Sequence, residues 1–168
     1  EYMRHGTDWG LIESNFNKLK QQSNIIMGIN TVLSVFNLLT IDKFYQYLID
    51  KGMYKPSDEV YSLYCMATPT PITCHILPEP FKSQGKQALE FCVKYVQERN
   101  FTPEQAIEFT NAIRWIYSDN TWEKEKFNFF TEITRIDRIR GEKFENVFPE
   151  LAPLLDSLRP PRKVIKPI

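Results

Sequence analysis

Between Lys20 and Asp42 the chain carries no charged side chain: "QQSNIIMGINTVLSVFNLLTI". No other stretch restricts the fold as tightly. A spanning helix needs about 20 mostly apolar residues. This run has the length, but Gln21, Gln22, Ser23, Asn24, Gly28, Asn30 and Asn37 interrupt it, and much of the remainder is β-branched. That composition argues against a membrane helix. It predicts instead a strand over residues 25–36 followed by a turn, buried on both faces as parallel strands are.

The flanks give the strand its setting. Leu11, Ile12, Phe16 and Leu19 recur at helical spacing, so residues 9–21 are expected to form an amphipathic helix. After the strand, Thr40 reads as an N-cap. Ile41, Phe44, Tyr45, Leu48 and Ile49 then make an apolar stripe, and Lys51-Gly52 stops the helix with a C-terminal glycine. "VYSLYCM", residues 60–66, reads as a second strand. Helix, strand, helix, strand is the rhythm of a parallel α/β sheet.

A proline-punctuated loop follows, "ATPTPITCHILPEPFK", in which "ITCHIL" reads as a short extended segment. Helical patterning resumes from Ser83 to about Arg99. Thr102, Pro103 and Gln105 then form a cap, first-turn proline and capping-box partner for a helix running to about Tyr117. A longer helix is predicted over 121–140, with Phe129, Phe130, Ile133 and Ile136 inward and Gly141 closing it. Pro149 opens a last short helix to about Leu158. The Pro-rich basic end "RPPRKVIKPI" is expected to be a disordered tail.

Composition sets outer limits. Apolar residues make up 42% and charged residues 25% of 168, ordinary for a globular chain, with aromatics heavy at 14%. The formal net charge of zero supplies no long-range field for a phosphate backbone, which argues against a dedicated nucleic-acid binder. Cys65, Cys74 and Cys92 are an odd set without a signal peptide, and they point to reduced thiols in a cytoplasmic setting.

Two or three parallel strands flanked by helices leave sheet edges open, and parallel sheets are normally covered. The opening "EYMRHGTDWG" reads as the middle of a loop running into a helix. Together these raise the expectation that further strands lie in polypeptide ahead of Glu1.

Several segments, in order, carry a resemblance. They are "EYMRHGTDW" before a helix ending in "NKL", "INTVLSVFN" before an amphipathic helix, "YSLYCMATPTPITCHILPEPFK", and "IDRIRGEKFENVFPELAPLL". With these the chain resembles the C-terminal portion of radical S-adenosylmethionine enzymes that carry a reduced, twitch-type extension. The resemblance covers nearly the whole chain. It implies the last two to three strands of a partial (β/α)6 TIM-type barrel over 1–100, a helical cap over 101–158 and a tail over 159–168. It also implies S-adenosylmethionine and a [4Fe–4S] cluster as cofactors of the full-length protein. The partners it implies are the N-terminal half of the same protein and a peptide or small-molecule substrate. The family's cluster motif, C-x3-C-x2-C, is absent from this sequence, so this chain alone is not expected to generate the radical.

Three residues are candidates for cofactor binding. Arg4 stands in a "Y-x-R" context that in the family pairs with the carboxylate of S-adenosylmethionine, a fit for a guanidinium fork. Asn30, in "I-N-T", is expected in the barrel near the nucleoside. Asn37 lies at the C-terminal end of the strand, where β/α folds place their sites, and is read first as tying down the turn there. No catalytic residue and no metal ligand is assigned. Adjacent Cys74 and His75 on an extended segment would point to opposite faces. Cys65 and Cys92 read as small core hydrophobes, and Glu79 as an exposed loop glutamate.

Trp9, Trp115, Trp122 and the Phe127–Phe130 cluster are expected to pack helices. Glu123–Lys126 reads as a solvated helix start and Asp137, Arg138 and Arg140 as a local ion-pair cap. A second reading of the whole needs no further polypeptide: a non-enzymatic α/β interaction module that binds a protein partner or itself.

Overall fold

The computed structural model describes residues 6–22 and 24–158. Helix α1 (Trp9–Lys20) leads to strand β1 (Ile29–Leu33), a 3-10 turn at Leu38–Thr40, helix α2 (Ile41–Asp50) and strand β2 (Tyr61–Cys65). Two 3-10 turns (Thr70–Ile72 and Cys74–Ile76) precede the long helices α3 (Glu79–Gln97), α4 (Pro103–Ile116) and α5 (Trp122–Arg140). Short helices α6 (Phe144–Val147) and α7 (Ala152–Asp156) close the described chain. The architecture is mixed α/β and mostly helical, around a two-stranded parallel sheet. No described helix is long and apolar enough to cross a membrane.

The strands pair in register from Ile29↔Tyr61 to Leu33↔Cys65. Ile29 N–H donates to the Val60 carbonyl and Met66 N–H to the Leu33 carbonyl. In a parallel ladder this alternation turns the backbone groups of Ile29, Thr31 and Leu33 toward β2 and those of Asn30 and Val32 outward. Gly28 makes the entry possible: a Cβ there would stand 2.2 Å from the Val60 carbonyl oxygen.

β1 is shorter than the expected strand over 25–36 and covered on one face, not two. Thr31 and Leu33 are buried with Leu63, whereas Val32 is 45% and Tyr64 62% exposed. The strand ends early because Ser34–Asn37 folds into a turn. "ITCHIL" is not extended either: Pro69 and Pro71 ahead of it and Thr73 within it lead into two 3-10 turns. α3 starts at Glu79, four residues before the expected Ser83, with Pro80 in its first turn where no amide partner is needed. Thr40 makes no side-chain cap bond, because the preceding 3-10 turn already supplies the helix entry.

α1 has no fully buried residue; of its apolar set only Phe16 packs against the core. It docks on α2 through polar contacts. Trp9 Nε1 donates to the Tyr47 hydroxyl (3.1 Å), which donates to Glu13 (2.6 Å), and Lys20 Nζ donates to the Gly52 carbonyl. Leu11, Ile12 and Leu19 stay exposed.

The remaining helices behave as their patterning requires. Thr102 and Gln105 form the reciprocal capping box of α4, and Gly141 ends α5 in the left-handed conformation (φ 66°). α3 packs against the 3-10 turn at Leu38–Thr40, and Gly85 permits the approach: a Cβ there would meet Leu38 Cγ at 2.4 Å. One continuous core runs from Leu33 to Leu155.

Candidate functional site

The bare face of the sheet is where the sequence and the fold converge. Parallel register puts Asn30 beside Ser62 and Val32 beside Tyr64, all on the side away from α2. The covered side is fixed by Thr31, whose Oγ1 accepts from the Tyr45 hydroxyl of α2. On the bare side Ser62 Oγ donates to Asn30 Oδ1 at 2.6 Å, and the amide Nδ2 of this exposed asparagine remains as a donor. Val60, 47% exposed, stands two residues before Ser62 and continues the same side. No charged side chain stands at positions 30, 32, 62 or 64. The surface therefore suits a neutral polar group or packed apolar chain, not acid–base work.

Asn30 was expected near a nucleoside in a dry strand; it lies on an exposed face. Asn37 is 5 residues beyond Val32 and committed elsewhere. Its Oδ1 accepts from Ser34 N–H at 2.8 Å and its Nδ2 donates to the Val32 carbonyl at 2.9 Å. It thus caps the outer edge of β1 at its C-terminal end, with each amide atom engaged in one backbone bond. Arg4 lies outside the described residues, as does the tail over 159–168. The structure consequently brings Asn30 together with Ser62 and Tyr64, and separates it from Asn37. Ser62 and Tyr64 were overlooked in the sequence. The signal was there: "VYSLYCM" places Ser62 and Tyr64 two apart, hence on one face of a strand.

The C-terminal ends of the strands, where β/α folds place ligands, are filled. Phe36 packs on Phe144 and Phe148 with ring centroids 6.2 and 5.4 Å away, so α6 and its flank close that end. Met66 N–H and Val35 N–H tie the two post-strand loops to Leu33 and Ile72.

Cysteine and histidine chemistry is absent from the patch. Cys74 and Cys92 are buried, and burial pushes the Cys65 thiol to about 11 and the Cys92 thiol to about 12, with Cys74 raised as well. Such thiols stay protonated and make poor metal ligands or nucleophiles. Among the described residues no three His, Cys, Asp or Glu side chains form a metal-holding group. These residues do not fit a [4Fe–4S] cluster.

His75 stacks on Trp115 at 3.9 Å, with Nε2 2.8 Å from the Trp115 carbonyl. A carbonyl only accepts, so Nε2 carries the proton. Ser118 Oγ, 3.2 Å from the same nitrogen, donates to that carbonyl too, and the pair is a clamp on the end of α4 and not a nucleophile with its base. Buried Lys82 serves the same junction, donating to the Asp119 carbonyl at 2.5 Å.

Two clefts lie along the C-terminal half of α5. One of about 460 Å³ runs between the C-terminal half of α5 and α6–α7, over Phe130, Ile133 and Leu155. A second, of about 340 Å³, shares Phe130, Thr134 and Arg138 with it. Compared with known proteins, this chain matches no protein-family model, no curated protein and no solved structure.

Proposed function

We propose that this chain forms the last β/α units of a radical S-adenosylmethionine protein, with Asn30, Ser62 and Tyr64 facing the pocket that other strands enclose. The observation that carries this reading is the one-sided sheet. In a β/α barrel, helices cover the outer face and the inner face looks into the barrel. A parallel pair covered by α2 on one side, with polar and aromatic side chains bare on the other, is what such a barrel leaves when its remaining strands are taken away.

The first-half strands and the cluster cysteines belong, on this reading, to polypeptide outside these 168 residues. S-adenosylmethionine bound to that cluster supplies the radical chemistry. This chain's own part is to line the pocket, exclude water and offer the Asn30 amide as a hydrogen-bond donor. The helices over 101–158 form a cap. Arg4 is assigned the carboxylate of S-adenosylmethionine by the resemblance alone. Asn37 is assigned to the turn.

The test is anaerobic reconstitution of the complete gene product with iron and sulfide, followed by assay for 5′-deoxyadenosine. Cluster absorbance and 5′-deoxyadenosine formation support the proposal. A complete product that holds no cluster contradicts it. The continuous core favours the second reading, an α/β module that uses the same bare face to bind another protein, and that outcome would select it.

A further inference from the structure

Asn30, Val32 and Ser34 turn their backbone groups away from β2, along the outer edge of β1. A strand joining that edge would take up their N–H and C=O groups in order. At the C-terminal end two of those groups are already engaged. Ser34 N–H donates to Asn37 Oδ1 at 2.8 Å, and Asn37 Nδ2 donates to the Val32 carbonyl at 2.9 Å. A carboxamide carries the same C=O and N–H pair as a peptide group, and its partners fix its orientation: an amide N–H needs the oxygen, a carbonyl the nitrogen. Neighbouring strands lie about 4.8 Å apart, so a side chain bonded at these distances fills the place of the next backbone. The turn holds it there. Asn37 N–H and Leu38 N–H both donate to the Ser34 carbonyl, at 3.3 and 3.2 Å, and the flanking Phe36 and Leu38 are buried.

We infer that Asn37 is a strand stop, a side chain that stands in for a neighbouring strand and closes the edge of β1 from the Val32 carbonyl onward. Open edge groups are a template for another chain, and short edges are one defence against it. With Asn37 in place a joining strand finds Asn30 N–H, Asn30 C=O and Val32 N–H, and has to leave the sheet at Val32. Without it the edge is continuous from Asn30 to Ser34, long enough to pair with the same edge of a second copy. The device lies within residues 30–38 and does not rest on the radical S-adenosylmethionine reading; a complete product that holds no cluster leaves it standing.

The test combines amide hydrogen exchange with sedimentation velocity on the 168-residue chain. In the wild-type chain Ser34 N–H is expected to exchange about tenfold or more slower than Asn30 and Val32 N–H, although all three face one edge, and the chain is expected to sediment as a monomer. Asn37→Ala should raise Ser34 exchange to that of Val32 and produce self-association that grows with concentration, about tenfold tighter than any shown by the wild type. Adding Val32→Pro removes an edge N–H where proline is tolerated and should restore the monomer. If Asn37→Ala does not fold, Asn37→Ser, too short to reach both groups, carries the same expectations. Ser34 exchanging as fast as Asn30 in the wild type overturns the inference. So does a folded variant that associates no more than the wild type, or association that survives Val32→Pro.

Discussion

The Tyr45 hydroxyl donates to Thr31 Oγ1 across 3.1 Å, from α2 onto the covered face of β1. That one bond sets the facing of the strand. Because strand side chains alternate, inward Thr31 obliges Asn30 and Val32 to point outward. Tyr45 also packs edge-on against Phe109 at 4.7 Å, so α2, α4 and the sheet share one contact. Tyr45→Phe keeps the ring and orphans the buried Thr31 hydroxyl. It should cost about 1–2 kcal/mol, read as a lower urea midpoint with unchanged slope.

Alkaline pH should destabilise the chain in stages. Unfolded thiols ionise near 8.5 and tyrosines near 10. Burial holds folded Cys65 at about 11 and Cys92 at about 12, and raises Tyr45 and Tyr54 as well. The folded form keeps protons that the unfolded form gives up. The stabilisation is therefore complete below about pH 8.5 and is lost as pH climbs toward the folded values. Urea titrations between pH 7 and 10 should show a falling midpoint. Over the same range Cys65 should be the first thiol to react with a disulfide reagent, Cys74 and Cys92 only on unfolding.

Gly85 is a contact and not a hinge. Gly85→Ala puts a methyl 2.4 Å from Leu38 Cγ, forcing α3 off the turn that leads into α2. Overpacking of this kind costs about 1–3 kcal/mol. The helix-favouring change from glycine to alanine gains less than that, so thermal melting should fall despite it.

The bare face should tolerate polar substitution. Val32→Thr with Tyr64→Ser removes exposed apolar surface and leaves the covered face alone. Stability should change by less than about 0.5 kcal/mol per site, while binding of a nonpolar fluorescent dye drops. A collapse in stability would mean that the face is packed in solution.

Much of the fold was legible where chemistry is local. The Thr102–Gln105 box fixed the start of α4, and Gly141 and Gly52 fixed two helix ends, since each works within a few residues. What could not be read was decided across the chain. The uncharged run suggested a strand buried twice over, but Val32 ends up exposed, because no described element covers that face of the sheet, and Ile25 and Ile26 lie ahead of the strand. α1 presents Leu11 and Leu19 to solvent because Trp9 and Glu13 find partners on Tyr47 first, a preference that only α2's placement reveals. Asn37 could serve a ligand or a turn on sequence grounds; the Ser34 amide and Val32 carbonyl claim both its ends. Ser62 became a candidate only through the register that sets it against Asn30.

The central claim, that the sheet awaits polypeptide along β1, is tested most directly by amide hydrogen exchange at Asn30 and Val32. Both backbone N–H groups point away from β2. In the 168-residue chain they should exchange at close to unstructured rates, and in the complete gene product they should be protected by orders of magnitude. Strong protection already present in the 168-residue chain, as a monomer, would contradict the account.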